Sequence, residues 1–155
     1  QLKFKRVWVY ALNIILVIAL ATQNLFFYFD TYREKYFFQD ANGELGMEAG
    51  LQLQNLGTMY DYYLFGTPRV FAGFPTTEFL APGIPKYDLV AESIPELSLY
   101  PGRGAFIVAI PENEALLRQV MEKFPGGTWK TIPRKVRAEV LYYAYILPPE
   151  ALDSP

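Results

Sequence analysis

Residues 66–85 hold the side chains that are best suited to binding a ligand. The segment is rich in Gly and Pro, follows a predicted strand, and carries six candidate ligand-binding residues: Arg69, Phe71, Phe74, Thr76, Thr77 and Glu78. Arginine can pair with a phosphate or a carboxylate, and aromatic rings can stack on sugar rings. The alternative interpretation is a rigid loop, in which the phenylalanines fill the core while Arg69 and Glu78 form a surface pair.

Acid–base or metal chemistry has weaker support in the sequence. Asp61, Asp88 and Glu92 could act as paired carboxylates, but nothing fixes their spacing, and solvated acids at strand ends are the simpler interpretation. The chain has no His and no Cys, which removes the commonest general base, the usual zinc ligands and any disulfide. We therefore predict no catalytic residue, no metal site and no cofactor within these residues.

Charge excludes one class of partner and leaves a second open. The chain has 14 Lys and Arg against 16 Asp and Glu, a net charge of −2, which argues against a general nucleic-acid binder. A basic run late in the chain comprises Lys130, Arg134, Lys135 and Arg137. This run could contact lipid phosphates if it faces a membrane, and a solvated hairpin is the alternative.

The elements that must position these side chains follow from hydrophobic patterning. We predict helices over 41–56 and from 111 to 124, and strands over 60–65, 87–90, 104–110, 128–132 and 136–147. The run GAFIVAI is almost wholly apolar, as expected of a strand covered on both faces. This order predicts an α/β fold: a small mixed sheet, partly parallel with an antiparallel edge, with two packing helices in two or three layers.

The first of these helices carries specific boundary signals. Asp40 or Asn42 can cap its free amide groups, and Gly57 can end it in a left-handed conformation. Gly46 and Gly50 lie four residues apart inside it, and each costs helix stability relative to Ala. We expect close packing of this helix against a neighbour to be the compensation.

An apolar segment precedes the α/β domain. Residues 7–29 contain no charged side chain and follow Lys3, Lys5 and Arg6. As a helix they would cross a hydrocarbon layer of about 30 Å. Because basic flanks favour the cytoplasm, this predicts a span in the cell membrane with the C-terminal domain outside the cytoplasm. We expect a basic flank and transmembrane helix over 1–29, a connector over 30–39, the domain over 40–147 and a polar tail over 148–155.

Two other interpretations of the apolar segment stay open. The basic start, the apolar stretch and Ala19-Leu20-Ala21 also match a cleavable signal peptide, which would release a secreted enzyme. Against cleavage, apolar character resumes at Leu25, and the polar Asn13 interrupts the central region. The third interpretation is a buried helix of a soluble protein.

Three stretches behind the span carry a family resemblance: ANGELGMEAGLQLQNLG, YDYYLFGTPRVFAGFPTTEFLAPG and PENEALLRQVMEKFPGG. Together with the basic-flanked span, they resemble the C-terminal part of bacterial multi-span glycosyltransferases of the GT-C class. These enzymes use polyprenyl-phosphate sugars and are related to protein mannosyltransferases and the lipid A aminoarabinose transferase. The resemblance rests on element order and a loop pattern, and it covers nearly the whole chain.

The resemblance implies a role beside the chemistry of sugar transfer. Such enzymes move a sugar from a lipid-phosphate carrier to an acceptor outside the cytoplasm, with catalytic acids in a first extracytoplasmic loop that these 155 residues do not contain. The chain would then be a fragment or an accessory domain that positions the acceptor or stabilises the bundle. Its implied partners are the lipid bilayer, other transmembrane helices of the parent protein, and a glycan or a polyprenyl-phosphate sugar. The alternative is a stand-alone membrane-anchored module for binding or envelope interaction.

Overall fold

The structure, a computed structural model, describes residues 2–32, 40–135 and 137–152. The chain divides into two compact units, Gln1–Gln39 and Asp40–Pro155. The predicted connector over 30–39 falls at their junction. Its first three residues continue the N-terminal helix, and the others lie outside the described residues.

The first unit is one long helix. Helix α1 spans Leu2–Phe26 and continues as a π-helical segment over Phe27–Tyr32. The part over Val7–Tyr32 has 26 residues, has no buried side chain, and is long and apolar enough to cross a membrane. Its polar side chains bond within the helix: the Asn13 amide donates to the Val9 carbonyl at 2.7 Å and the Thr22 hydroxyl to the Ile18 carbonyl at 2.8 Å.

The second unit is a mixed α/β domain, as predicted. Its helices are α2 (Ala41–Leu56), α3 (Pro75–Leu80), α4 (Glu114–Lys123) and α5 (Pro149–Leu152), with 3₁₀ turns at Ala91–Ser93 and Pro111–Asn113. Its strands are β1 (Tyr60–Phe65), β2 (Lys86–Asp88), β3 (Gly104–Ala109), β4 (Thr128–Pro133) and β5 (Val140–Leu147).

The five strands form one sheet in the order β2-β1-β3-β5-β4. Strand β1 is parallel to both β2 and β3, with Tyr62 opposite Phe106, while β5 is antiparallel to β3 and β4. This arrangement confirms the prediction of a partly parallel sheet with an antiparallel edge. Strand β3 is buried along its whole length, as its apolar sequence indicates.

Two hydrophobic clusters, one on each face of the sheet, make the domain three-layered. The first packs α2 and the segment around α3 against Tyr62 and Phe106, whose ring centroids are 5.6 Å apart. The second packs α4 and α5 against Tyr63 and Ile107. Both clusters consist of residues from Ala41 onward, so the domain builds its core from its own residues.

Helix α2 begins and ends where the sequence predicts. The Asp40 carboxylate accepts hydrogen bonds from the amides of Asn42 and Gly43, both at 3.1 Å, and Gly57 follows the helix with φ 82°. The expected close packing is also present, against α3. A Cβ atom at Gly46 would lie 2.6 Å from a Phe74 ring carbon, so only glycine allows this approach.

Three boundaries differ from the sequence predictions. The stretch over 66–85 contains α3, because Pro75 at its first position fits a helix and the Glu78 amide bonds to the Phe74 carbonyl at 3.0 Å. Strand β2 lies one residue earlier and is shorter than expected. Residues 149–152 form α5 and contribute Ala151 and Leu152 to the second cluster, so the packed domain extends past residue 147.

A fourth difference lies in the β4–β5 hairpin. We predicted a turn at Pro133–Lys135 with β5 starting at Val136, whereas β5 starts at Val140. The turn is longer because the Arg134 amide bonds to the Glu139 carbonyl at 2.9 Å and the side chain of Arg134 pairs with Glu44 of α2.

Candidate functional site

A crevice lies at the carboxyl ends of β1 and β3. These strands are adjacent and parallel. Strand β2, which follows β1 in the chain, lies on one side of this pair, and β4 and β5, which follow β3, lie on the other. Such a reversal of strand order is where open α/β sheets bind ligands. Here the loop after Phe65 and the turn at Pro111–Asn113 form its two sides.

Arg69 joins these two sides. Its Nη1 lies 2.7 Å from Oε1 of Glu112, and its Nε donates to Oδ1 of Asn42 at 3.0 Å. The Asn42 amide returns a hydrogen bond to the Arg69 carbonyl at 3.1 Å. The start of α2 and the loops after β1 and β3 are thereby held by one guanidinium.

Arg134 forms the second cationic wall of the crevice. Its Nε donates to Oε2 of the buried Glu44 at 3.1 Å, and Oε1 of the same carboxylate accepts the Lys135 amide at 2.6 Å. Its Nη1 lies 3.6 Å from a Glu139 carboxylate oxygen. Charge-assisted bonds of this kind are short and directional, so they fix the hairpin turn against α2.

The crevice encloses about 400 Å³, which lies within the range of small-molecule sites. It is lined by Ala41, Arg69, Pro111, Glu112, Arg134, Glu139, Val140, Leu141 and Tyr143. Both arginines pair with carboxylates that are mainly solvent-exposed, Glu112 at 61% and Glu139 at 62%. An anionic or polyhydroxylated ligand can therefore displace an exposed carboxylate from a fixed guanidinium.

Tyr143 contributes a neutral phenol to the lining. A hydrogen bond to Glu114 raises the pKa of Tyr143, and burial raises it further. The Arg118 guanidinium, bonded to Glu114 at 2.6 Å, lowers the pKa of that carboxyl. The phenol therefore stays protonated near neutral pH, with its hydroxyl donating to Glu114 and its oxygen able to accept a hydrogen bond.

Of the six ligand-binding candidates, the structure places only Arg69 in the crevice. Phe74 and Thr77 instead pack α3 against α2, with the Thr77 hydroxyl donating to the Gly46 carbonyl at 3.1 Å. Phe71 is 55% exposed, Thr76 is half-buried, and neither lines the crevice. Glu78 pairs with Lys86 at 3.0 Å and not with Arg69.

The remaining carboxylates and the basic run have structural partners. Asp61 is buried and accepts a hydrogen bond from Arg103 Nε at 2.8 Å, while Asp88 accepts the Ala72 amide at 2.7 Å. In the basic run, Arg134 and Lys135 pair with Glu44 and Glu48, which neither of the two interpretations anticipated. Among the described residues, acidic side chains do not cluster in a way that could hold a metal ion.

Most of the crevice was not identified from the sequence, above all Glu112, Arg134 and Glu139. Ligands bind beyond the carboxyl ends of parallel strands in open α/β sheets, and this rule holds for β3 as well as for β1. The rule identifies Glu112, because this residue lies three positions after the end of β3. No sequence signal places Arg134 there, because its position depends on pairing across 90 residues with Glu44.

The arrangement can bind and orient a polar ligand between fixed guanidinium groups and a neutral phenol. Comparison of the chain with protein-family models, with curated proteins and with solved structures finds no match.

Proposed function

We propose that the chain is a transmembrane helix and the non-catalytic extracytoplasmic domain of a membrane glycosyltransferase that uses polyprenyl-phosphate sugars. The observation that carries the proposal is the combination of a bare apolar helix with a self-contained domain. The helix over Val7–Tyr32 has no buried side chain, and both hydrophobic clusters are built from residues beginning at Ala41. A long, mainly apolar helix without buried side chains needs a lipid or protein environment, and neither hydrophobic cluster of the domain includes its residues.

The nature of the crevice supports a binding role over a catalytic one. Its two arginines and two exposed glutamates are arranged as ion pairs. Most enzymes that hydrolyse glycosidic bonds use a pair of carboxylates at a defined separation. Asp61 and Asp88, the strand-end acids, hold Arg103 and a backbone amide instead. The domain therefore serves acceptor positioning or the stability of the helix bundle, and the bond chemistry belongs to another part of the enzyme.

The coding sequence upstream of Gln1 tests this proposal directly. We expect it to continue in frame into further apolar spans, with acidic residues in the first extracytoplasmic loop. An initiator Met immediately before Gln1 would contradict the proposal.

A second test uses the enzyme that contains this domain. The Arg69→Ala variant, reconstituted in vesicles, is expected to raise the KM for the acceptor while the KM for the lipid-linked sugar stays constant. Glu78→Ala is the matched control, because Glu78 pairs with Lys86 outside the crevice. Equal acceptor kinetics for the Arg69→Ala variant and the unmodified enzyme would count against acceptor positioning in the crevice.

The alternative function is a stand-alone membrane-anchored binding module. The observation that favours it is that the domain has a complete core and exposes Phe71 and Phe79 on the segment over 66–85. Exposed aromatic side chains are frequent in binding surfaces. The upstream coding sequence separates this alternative from the first proposal.

A further inference from the structure

A second cavity lies beside the edge strand β2. It encloses about 380 Å³ and is lined mainly by Tyr63, Tyr87, Asp88, Glu96, Ser98 and Tyr100; we name it the tyrosine groove. It shares no lining residue with the crevice at the carboxyl ends of β1 and β3. The function proposed above makes no use of this groove.

One wall of the tyrosine groove is aromatic. The rings of Tyr63 and Tyr87 stack at a centroid distance of 5.0 Å and an interplanar angle of 21°. Tyr63 is buried beneath the wall, whereas Tyr87 is 36% exposed and Tyr100 is 55% exposed. Burial is the main cause that raises the pKa of Tyr87, and the neighbouring Tyr100 raises it further, so the two exposed phenols lie close together.

A buried ion pair holds this wall in place. Arg103 Nη2 lies 2.6 Å from the carboxylate of Asp61, which is 3% exposed, and it also donates to the Thr58 carbonyl at 2.9 Å. Because Arg103 lies three residues after Tyr100, the pair fastens the loop that carries Tyr100 to the start of β1. A wall fixed before binding loses little conformational freedom when a ligand arrives.

The rim of the groove is polar and acidic. Glu96 and Ser98 line it, and its lining residues include no Lys or Arg. Asp88 also lines the groove, but its carboxylate accepts the Ala72 amide on the other face of the sheet. The Glu96 carboxylate, with no Lys or Arg in the lining, repels an anionic ligand, whereas it accepts hydrogen bonds from neutral hydroxyl groups. The rim therefore selects an uncharged ligand with several hydroxyls.

The two walls together match one class of ligand. A pyranose ring presents weakly positive C–H groups on its face and hydroxyls around its edge, and the face of a tyrosine ring is electron-rich. A quaternary ammonium is usually enclosed by several ring faces, whereas the stacked Tyr63 and Tyr87 rings lie nearly parallel. We propose that the tyrosine groove is a binding site for an uncharged saccharide, whose ring packs on Tyr87 and Tyr100.

The test uses the full chain in nanodiscs of phosphatidylethanolamine and phosphatidylglycerol, which contain neither sugar nor choline. Saturation-transfer NMR measures binding of three neutral probes: methyl α-D-mannopyranoside, cellotriose and triacetylchitotriose. Glucuronate and choline serve as charged probes. We expect at least one neutral saccharide to bind, and to bind more tightly than either charged probe.

Variants locate the site. Tyr100→Ala is expected to weaken saccharide binding about tenfold, since one stacking contact is lost. Tyr100→Phe keeps the ring and should retain most of the affinity. Phe79→Ala is the matched control, because Phe79 is an 83% exposed aromatic outside the groove. Near-UV circular dichroism identifies any variant that has not folded. Tyr100→Leu, which also removes the ring and has the same expected loss, replaces Tyr100→Ala if that variant has not folded.

Three outcomes would overturn the proposal. The first is the absence of binding by all three neutral saccharides, and the second is tighter binding of glucuronate or choline. The third is an unchanged affinity in a folded Tyr100→Ala variant. Because every measurement concerns binding by this chain alone, failure here leaves the glycosyltransferase proposal standing, and an initiator Met before Gln1 leaves the groove proposal standing.

Discussion

Buried tyrosine hydroxyls in the α/β domain differ in whether they have a hydrogen-bond partner. The Tyr62 hydroxyl is fully buried and has no hydrogen-bond partner within the described part of the chain, whereas the Tyr142 hydroxyl lies 3.3 Å from the Gln52 side-chain oxygen. A buried polar group without a partner costs about 1–3 kcal/mol. Tyr62 therefore offers a position at which removing a polar atom should stabilise the fold.

We predict that Tyr62→Phe raises the free energy of unfolding of the domain by about 1 kcal/mol. Tyr142→Phe is the matched control and should lower it by a similar amount, because that change removes a hydrogen bond. Denaturant unfolding followed by Trp129 fluorescence in a Trp8→Phe background measures both, since these are the only two Trp residues. A destabilised Tyr62→Phe variant would show that the hydroxyl is satisfied in solution.

The Glu44 carboxylate is the opposite case, a buried charge with several partners. We predict that Glu44→Gln lowers the free energy of unfolding by about 3 kcal/mol, because Arg134, whose side chain is 8% exposed, loses its buried counter-charge. In the control Glu112→Gln the lost pair with Arg69 is more exposed, and the expected loss is below about 1 kcal/mol. Equal losses in the two variants would contradict this assignment.

At the scale of elements, the contact between α2 and α3 depends on glycine. We predict that Gly46→Ala lowers the free energy of unfolding by about 1–3 kcal/mol, because its Cβ would overlap the Phe74 ring. In an uncrowded helix the same change would stabilise by about 1 kcal/mol. The control is Gly73→Ala, where a Cβ meets no atom within 4 Å and the change should be close to neutral. Thermal unfolding distinguishes the two signs.

Local signals explain how much of the fold could be predicted from the sequence. The Asp40 cap, Gly57 and the apolar spacing between them determine α2, and the run GAFIVAI determines β3, so both were predicted closely. Helix α3 was missed because Gly and Pro at both ends mark a loop, although Pro75 also suits a first helical turn. The β4–β5 turn was misplaced because the pairing of Arg134 with Glu44 is a long-range contact.

Arg69 is the only residue of the crevice that the sequence identified as a ligand-binding candidate. The reason is again that the other residues reach the crevice through long-range packing. Loop composition identifies residues that could bind a ligand, but the direction of each side chain depends on packing. Phe74 and Thr77 point toward α2 because the glycines of that helix leave room for them. Glu112 and Arg134 reach the crevice from segments that are distant in the sequence.

At the scale of the whole domain, buried tyrosines couple stability to alkaline pH. Burial is the largest cause that raises the pKa of Tyr62, Tyr63 and Tyr142 above the usual value of 10.0. In the unfolded chain these phenols lose their protons near pH 10, whereas in the folded domain they stay protonated. Their contribution to stability is therefore complete below about pH 10 and is lost as the pH rises beyond it.

We predict that the free energy of unfolding falls between pH 10 and pH 12, by about 1.4 kcal/mol per pH unit for each such tyrosine. The slope should be smaller in Tyr142→Phe than in the unmodified chain, and Tyr28→Phe in α1 serves as the control. Parallel slopes in all three proteins would contradict a role for Tyr142.

Residues 7–32 are long and apolar enough to span a membrane. Because the chain has no cysteine, single introduced cysteines can measure its topology directly. A single cysteine at the exposed Gln54 reports on the domain, and one at Lys3 reports on the N-terminal end of α1. The measurement is labelling with a membrane-impermeant maleimide in intact bacterial spheroplasts and after lysis. Our account predicts a carbonate-resistant membrane protein in which Gln54→Cys is labelled in intact cells and Lys3→Cys only after lysis. Labelling of Gln54→Cys only after lysis, or recovery of the intact chain in the soluble fraction, would contradict it.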